Sequence, residues 1–500
     1  MINNNTICAI ATPAGVGGIA VIRVSGENAF EICDKIFVSE NGNKIADFQA
    51  NTIHFGKIVS EQRTKNKEQR QENTFLISHS LLLTPHSSFL SVIDEVLVSV
   101  FHAPHSFTGE NIVEISAHGS IFVQQKILKL LLQNGCRLAQ AGEFTQRAFL
   151  NGKMDLAQAE AVADLISSTS AAAHRLAMNQ MRGGISCELQ NLRSQLLDFA
   201  SLIELELDFS EEDVEFADRK NLIDLSKKIC KKLSDLTNSF DLGNAVKNGI
   251  TVAIAGKTNV GKSSLLNFLL NEEKAIVSNI HGTTRDIIED CVNIQGVMFR
   301  FIDTAGIRHT ENEIEKIGIE RAFKQIEKAQ IVLYVVDCTE FDSPQITPIN
   351  TDKIICDNLC NLCNLWTNKA ILVFNKIDLI NNDKIQIINE LYKDFDCPKI
   401  FVSLKEKINT EKLIDEILKA ANISQLSEND VIITNVRHRD ALQKSLDAVE
   451  RVIAGLQSGI STDFISQDIR ECLHFLGEIT GEITTNEILG NIFGKFCIGK

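Results

Sequence analysis

The sequence predicts a multidomain protein of mixed α+β and α/β class, and three observations carry that prediction. Short β-type runs fill residues 1–120, and apolar residues at helical spacing dominate 121–248 and 425–500. Between those helical regions, over 249–424, apolar strands alternate with helical stretches, the mark of a parallel sheet covered on both faces. At 500 residues the chain is also too long for one hydrophobic core.

In the first region the runs Ile19–Arg23, Val96–Phe101 and Asn111–Ile115 are separated by Gly, Pro and Ser, as in a mostly antiparallel domain. A polar, mixed-charge stretch at 60–74 interrupts them and reads as a solvated loop. The period then becomes helical, with Leu156, Ala159, Ala163 and Ile166, and later Leu189, Leu192, Leu196, Phe199 and Ile203. An acidic run at 204–215 reads as a solvated helix end, because it lacks the spacing of a calcium loop. The strands of the third region are Ile250–Ala255, Phe299–Ile302, Ile331–Val336 and Ile371–Phe374. Helical spacing returns at Leu442, Leu446, Val449, Val452 and Ile453, so the helical domain is read as one unit holding an insertion.

Hydrophobic residues make up 44% and charged residues 23%, as in an ordinary globular chain. No apolar run approaches the ~20 residues of a membrane span, and the start lacks a signal-peptide pattern. A cytoplasmic protein with no membrane partner is expected. Fifty Lys and Arg against 65 Asp and Glu give a net charge of -15, which argues against indiscriminate coating of nucleic acid. The 13 cysteines read as reduced thiols. Among them Cys356, Cys360 and Cys363 have metal-like spacing, but no fourth ligand is near, so a metal-free reading is preferred.

Gly256-Lys-Thr-Asn-Val-Gly-Lys-Ser263 follows the first of the α/β strands and precedes a helical run. Its glycines let backbone N–H groups close on phosphate oxygens, Lys262 neutralises the outer phosphates, and Ser263 is placed to ligate magnesium. Gly282-Thr-Thr-Arg-Asp286 offers Thr284 as a second magnesium ligand. Asp303-Thr-Ala-Gly306 ends the next strand, with Asp303 holding magnesium through water and Gly306 sensing the γ-phosphate. Asn375-Lys-Ile-Asp378 ends a further strand, and its Asp378 can accept from both N1–H and the amino group of guanine. Ser403, in Phe401-Val-Ser-Leu-Lys405, stands where guanine-nucleotide sites usually carry Ser-Ala-Lys; Leu404 departs from the small residue, but its backbone N–H would still reach the guanine O6. Four motifs in order on the expected strands predict a Ras-like P-loop GTPase. Where such proteins carry a water-orienting Gln, this chain has Ile307, so catalysis must draw on another group: Arg308, Glu313 or Glu315.

The chain also resembles, over nearly its whole length, the bacterial tRNA-modifying GTPase family MnmE or TrmE. The likeness rests on the motifs above and on three further segments: Thr6 to Gly26, Gly142-Glu-Phe-Thr-Gln-Arg-Ala-Phe-Leu-Asn-Gly-Lys153 continuing to Ala161, and the terminal Cys497-Ile-Gly-Lys500. The resemblance implies an N-terminal dimerisation and folate-binding domain at 1–120 and a helical domain in two parts, with the GTPase domain inserted at 249–424. It implies a homodimer working with a flavoprotein of the MnmG or GidA type on tRNA. Together they would install an aminomethyl or carboxymethylaminomethyl group on C5 of the wobble uridine, with a tetrahydrofolate derivative as the one-carbon source.

Matched residue by residue, Asn259, Ser278, Ile280 and Thr283 would ligate potassium, and Glu315 would orient the attacking water. Arg23, Glu114, Lys153 and Lys500 would contact the folate. Cys497 is either a catalytic thiol or a structural one. The expected GTP contacts are Asn259, Val260, Gly261, Lys262, Ser263 and Ser264; Ser278, Asn279, Ile280, His281, Gly282, Thr283 and Thr284; Asp303, Thr304, Ala305 and Gly306; and Asn375, Lys376, Asp378 and Ser403. The alternative is a regulatory GTPase of ribosome assembly without modification chemistry, which the nucleotide motifs alone would equally allow. A third reading makes the N-terminal domain a folate-dependent transferase with the GTPase peripheral.

Overall fold

The computed structural model describes residues 5–62, 89–208, 219–272, 290–302, 329–341, 370–393, 395, 397–421, 431–458 and 460–499. The chain divides into two compact units, Met1–Ala163 with Thr480–Lys500, and Asp164–Ile479.

The first unit is built on a seven-stranded sheet. Its strands are β1 (Ile7–Ile10), β2 (Ile19–Ser25), β3 (Phe37–Ser39), β4 (Thr52–Gln62), β5 (Phe89–Phe101), β6 (Ile112–His118) and β7 (Arg137–Leu138). They run in the order β3-β4-β5-β6-β2-β1-β7, antiparallel throughout except β1 with β7. Alternation puts Ile22, Val24, Val98, Val100 and Ile115 on the buried face, where the helices Ala29–Asp34 and Ile121–Gln133 cover them with Ile32, Ile127 and Leu131. The helix Ile121–Gln133, where helical periodicity begins, thus belongs to the sheet's own core. Ser60, Glu61 and Gln62 continue β4 and pair with Ser91, Leu90 and Phe89. The stretch expected as loop from residue 60 therefore begins as strand, since cross-strand pairing satisfies backbone groups whatever the side-chain polarity. Its remainder, from 63, lies outside the described residues.

In the second unit the helix Gly184–Asp208 buries Leu189, Leu192, Leu196, Phe199 and Ile203, as their spacing predicts. Val436–Ser458 likewise buries Leu442, Leu446, Val449 and Val452. Of the earlier stripe, Leu156 and Ala159 are buried but Ile166 is exposed near the end of its helix.

The inserted sheet comprises β8 (Ile250–Ala255), β9 (Asp290–Ile294), β10 (Val297–Phe301), β11 (Ile331–Asp337), β12 (Ala370–Asn375) and β13 (Lys399–Phe401). The order is β13-β12-β11-β8-β10-β9, parallel except for the β9–β10 hairpin. The helices Lys262–Glu272 and Thr410–Ala420 cover one face with Leu265, Leu269, Leu413 and Ile417. On the other face, Ile388 and Tyr392 pack on Val332, Tyr334, Leu372 and Phe374. Burial from both sides explains why β11 and β12 read as unbroken apolar runs. Among the described residues, no helix is long and apolar enough to cross a membrane.

Candidate functional site

Strand order reverses at β8, which lies between β10 and β11, and such switch points open a crevice at the carboxyl ends of the strands. The glycine loop leaves β8 there. Gly256 has φ +140°, and a Cβ on it would stand 2.3 Å from the Val335 carbonyl oxygen. No other residue fits so close to the neighbouring strand. Asn259 and Gly261 also take positive φ, 64° and 106°. The helix Lys262–Glu272 starts directly afterwards, so its first N–H groups, which have no intrahelical acceptor, face the loop.

Lys262 Nζ lies across the loop, donating to the carbonyls of Gly256 (2.8 Å) and Lys257. Burial pushes its ammonium pKa down. That ammonium is therefore held where phosphate charge would repay its lost hydration. Ser263 and Ser264 are exposed in the first helical turn, whereas Val260 is buried.

The Asn375-Lys-Ile-Asp378 motif is fastened to this loop. Asn375, the last residue of β12, is buried; its Nδ2 donates to the Val260 carbonyl at 2.9 Å, and its Oδ1 accepts from the Leu404 N–H at 3.3 Å. Lys376 adopts φ +69°, and its Nζ reaches the Asn259 carbonyl at 3.2 Å and the Asp337 carboxylate at 2.5 Å. Burial by itself would raise the Asp337 carboxyl, but Lys376 and the N–H and O–H of Thr339 outweigh it and hold the pKa below the usual range. Asp378 is exposed in the short turn Ile377–Leu379. Ser403 is fully buried: its N–H donates to Ile408 O at 3.2 Å, and its Oγ accepts from the Glu406 N–H at 3.1 Å. The Leu404 N–H, expected near the guanine O6, is turned toward Asn375.

The first unit holds a second constellation. β2–β6 register places Arg23 opposite Glu114, and Arg23 Nε donates to its carboxylate at 2.8 Å. The guanidinium also lies near the Phe107 and Phe144 rings, 5.8 and 5.7 Å from their centroids. Lys153 Nζ donates to the Pro104 carbonyl at 3.0 Å. The C-terminal segment closes on the same unit: Ile498 bridges Ala141, and the Gly142 N–H donates to the Cys497 carbonyl at 3.4 Å. The Cys497 residue is exposed. A Cβ on Gly499 would stand 2.4 Å from the Ile10 carbonyl oxygen, so the glycine of the terminal tetrapeptide is demanded by contact.

The same unit holds a network that sequence reading missed. Arg147, 3% exposed, bonds Glu110, Glu143 and the Asn5 carbonyl; Ser25 Oγ donates to Glu110 and shares a hydrogen bond with Thr108. Glu143 further accepts from Arg137 and from the Gln140 N–H. Only the Gly142–Arg147 segment hinted at it, since nothing local links residue 110 to residue 147. Asp337 was missed for the same reason.

Several expected site residues lie outside the described residues: Ser278, Asn279, Ile280, His281, Gly282, Thr283 and Thr284; Asp303, Thr304, Ala305 and Gly306; Ile307, Arg308, Glu313 and Glu315; Cys356, Cys360 and Cys363; and Lys500. Among the described residues, no cluster of three or more His, Cys, Asp or Glu is placed to hold a metal.

A sheet in this order, a glycine loop between its central strand and a helix, and an Asn-Lys-x-Asp turn locked onto that loop define a P-loop GTPase. Model matches extend over both units: the GTP-binding protein TrmE N-terminus over residues 6–153, and the MnmE helical domain over 156–497. The tRNA modification GTPase MnmE of Bacteroides thetaiotaomicron is 52% identical over all of both chains. Its namesake in Flavobacterium johnsoniae is 48% identical, again over the full length of both. The chain belongs to the MnmE family of tRNA modification GTPases.

Proposed function

We propose that this protein hydrolyses GTP to GDP and phosphate to drive modification of C5 of the wobble uridine in tRNA. The observation that carries the reading is the Asn375 tether, which joins guanine recognition to phosphate binding in a chain whose family match is end to end. Lys262 supplies charge to the phosphates, and Asp378 selects guanine. Ser263, a hard hydroxyl donor at the helix start, fits magnesium, with Thr284 as the second ligand. Asn259, Ser278, Ile280 and Thr283 are the proposed potassium ligands. Glu315 orients the attacking water in place of the Gln that Ile307 replaces.

For the one-carbon source we propose a tetrahydrofolate derivative held by Arg23, Glu114, Lys153 and Lys500. The donor set fits: among the described residues the Nη groups of Arg23 have no hydrogen-bond partner, and they suit a carboxylate, as Glu114 suits a pterin's N–H groups. Cys497, exposed beside this unit's C-terminal bridge, is the proposed thiol. The exposed face of the sheet carries Ile53, Phe55, Leu97 and Val38, an apolar surface suited to a second copy. The net charge of -15 supports a reading in which a flavoprotein partner of the MnmG type makes much of the tRNA contact, in the cytoplasm.

Mass spectrometry of tRNA nucleosides from a bacterial strain lacking its own copy, complemented with this gene, tests the proposal. Restored C5-aminomethyl-type uridines are expected. Their absence, with the cognate flavoprotein also supplied, would leave a regulatory GTPase.

A further inference from the structure

We propose that the helix Ala171–Met181 is the strut that carries the nucleotide state from the GTPase sheet to the point where the chain leaves that domain. The proposal rests on the GTPase reading above and adds a route and its positioning residues.

The β9–β10 hairpin stands between the segment carrying Thr284, just ahead of Asp290, and Asp303, just beyond Phe301. By chain connectivity alone, this hairpin is taken as the described element through which the two motifs would act on the rest of the domain. Its turn, Gln295-Gly296, has φ of 48° and 83°, the mirror-image turn that suits a tight hairpin. The Gly296 carbonyl accepts from the Ala172 N–H at 3.1 Å. A Cβ on Gly296 would stand 3.2 Å from Ala171 Cβ, so the turn sits directly on the helix start. That start is rigid, because the Ser170 hydroxyl caps it by accepting from the Ala173 N–H at 3.1 Å. Ala172 packs both on the core of the GTPase sheet and on a second cluster of Leu176, Val246 and Ile432. Val246 precedes the domain's first strand, and Ile432 follows its last helix.

The far end of the helix holds that exit. Gln180 is buried, and its Nε2 donates to the Ile432 carbonyl and to Thr434 Oγ1, both at 3.0 Å. Beside it the Ile433 N–H donates to Ser239 Oγ at 3.1 Å. A Cβ on Gly243 would stand 2.2 Å from the Ile433 carbonyl oxygen, so the exit segment packs directly on the backbone of the helix Phe240–Asn248. Past Thr434 the chain enters the long helix Val436–Ser458. A helix hydrogen-bonded to the sensing hairpin at one end and to the exit at the other has the geometry of a rigid transmitter.

Hydrogen exchange of the full-length protein, compared with GDP and with a non-hydrolysable GTP analogue, tests this. In the unaltered protein, exchange in both 171–181 and 432–442 should differ between nucleotides by about fivefold or more, the lower end of ordinary allosteric couplings. Ala172→Pro removes the donor to Gly296 without removing an intrahelical bond, because the first N–H groups of a helix have none. It should abolish the difference at 432–442 while nucleotide affinity stays the same. Gln180→Leu should keep the response at 171–181 and lose it at 432–442, a split that a merely structural role would not produce. An undiminished response at 432–442 in either variant overturns the proposal, as does unaltered protein that binds nucleotide without responding at 171–181. Failure to bind guanine nucleotide at all would instead reject the GTPase reading.

Discussion

The Asn375 amide donates to the Val260 carbonyl at 2.9 Å, so one buried side chain fastens the Asn-Lys-x-Asp turn to the glycine loop. Two motifs far apart in sequence thereby share one geometry.

Asn375→Ala should loosen that geometry. The Val260 carbonyl would lose its buried donor, a cost of about 1–3 kcal/mol, and guanine nucleotides should bind about 5- to 150-fold more weakly. Titration with a fluorescent GDP analogue measures it. Unchanged affinity would mean that the loops are held together by other contacts.

Base choice should follow a single atom pair at Asp378. In Asp378→Asn an amide replaces the second acceptor and offers a donor, which suits the 2-oxo group of xanthine rather than the amino group of guanine. GTP hydrolysis should fall by roughly a hundredfold or more, with xanthosine triphosphate becoming the better substrate. Competition between the two nucleotides in one assay reads this directly.

Arg23→Ala would leave the partly buried Glu114 carboxylate without its guanidinium. The side chains are 22% and 25% exposed, so water offsets part of the loss and the stability cost should stay near ~1 kcal/mol. Calorimetric titration with tetrahydrofolate should nevertheless lose its binding signal. Binding that survived would remove Arg23 from the folate site.

Acid should weaken the first unit through Glu143. Burial alone would raise its carboxyl, yet Arg137, the Gln140 N–H and Arg147 together hold the pKa below the ordinary range. A depressed native value gives stability that is fully present above the unfolded pKa of about 4.3 and is lost as pH falls below that through the native value. Urea unfolding of the full chain, followed by exchange at Glu143–Leu150, should show this slope, and Glu143→Gln should flatten it. An identical slope in the variant would assign the acid sensitivity elsewhere.

Much of the fold was legible because hydrophobic period reports local geometry. Leu189 to Ile203 and Leu442 to Val452 turned their stripes inward as spacing requires, and the two-sided burial of β11 and β12 showed as unbroken apolar runs. Polarity misled at Ser60 to Gln62, where strand pairing prevailed. It also gave no warning that Ile166 would face solvent, because the last turn of a helix need not reach the core.

The glycine loop, the Asn-Lys-x-Asp turn and the terminal Cys-Ile-Gly-Lys are determined by the sequence alone. Residue type and spacing suffice to recognise those motifs, although the contacts that require glycine at Gly256 and Gly499, with Val335 and Ile10, are tertiary. Only the tertiary structure decided that Asn375 would hold Val260, that Lys376 would pair with Asp337, and that Arg147 would join Glu110 to Glu143. Those partners lie on different strands and helices. Strand order and register bring them within hydrogen-bonding distance, and no local pattern encodes that juxtaposition.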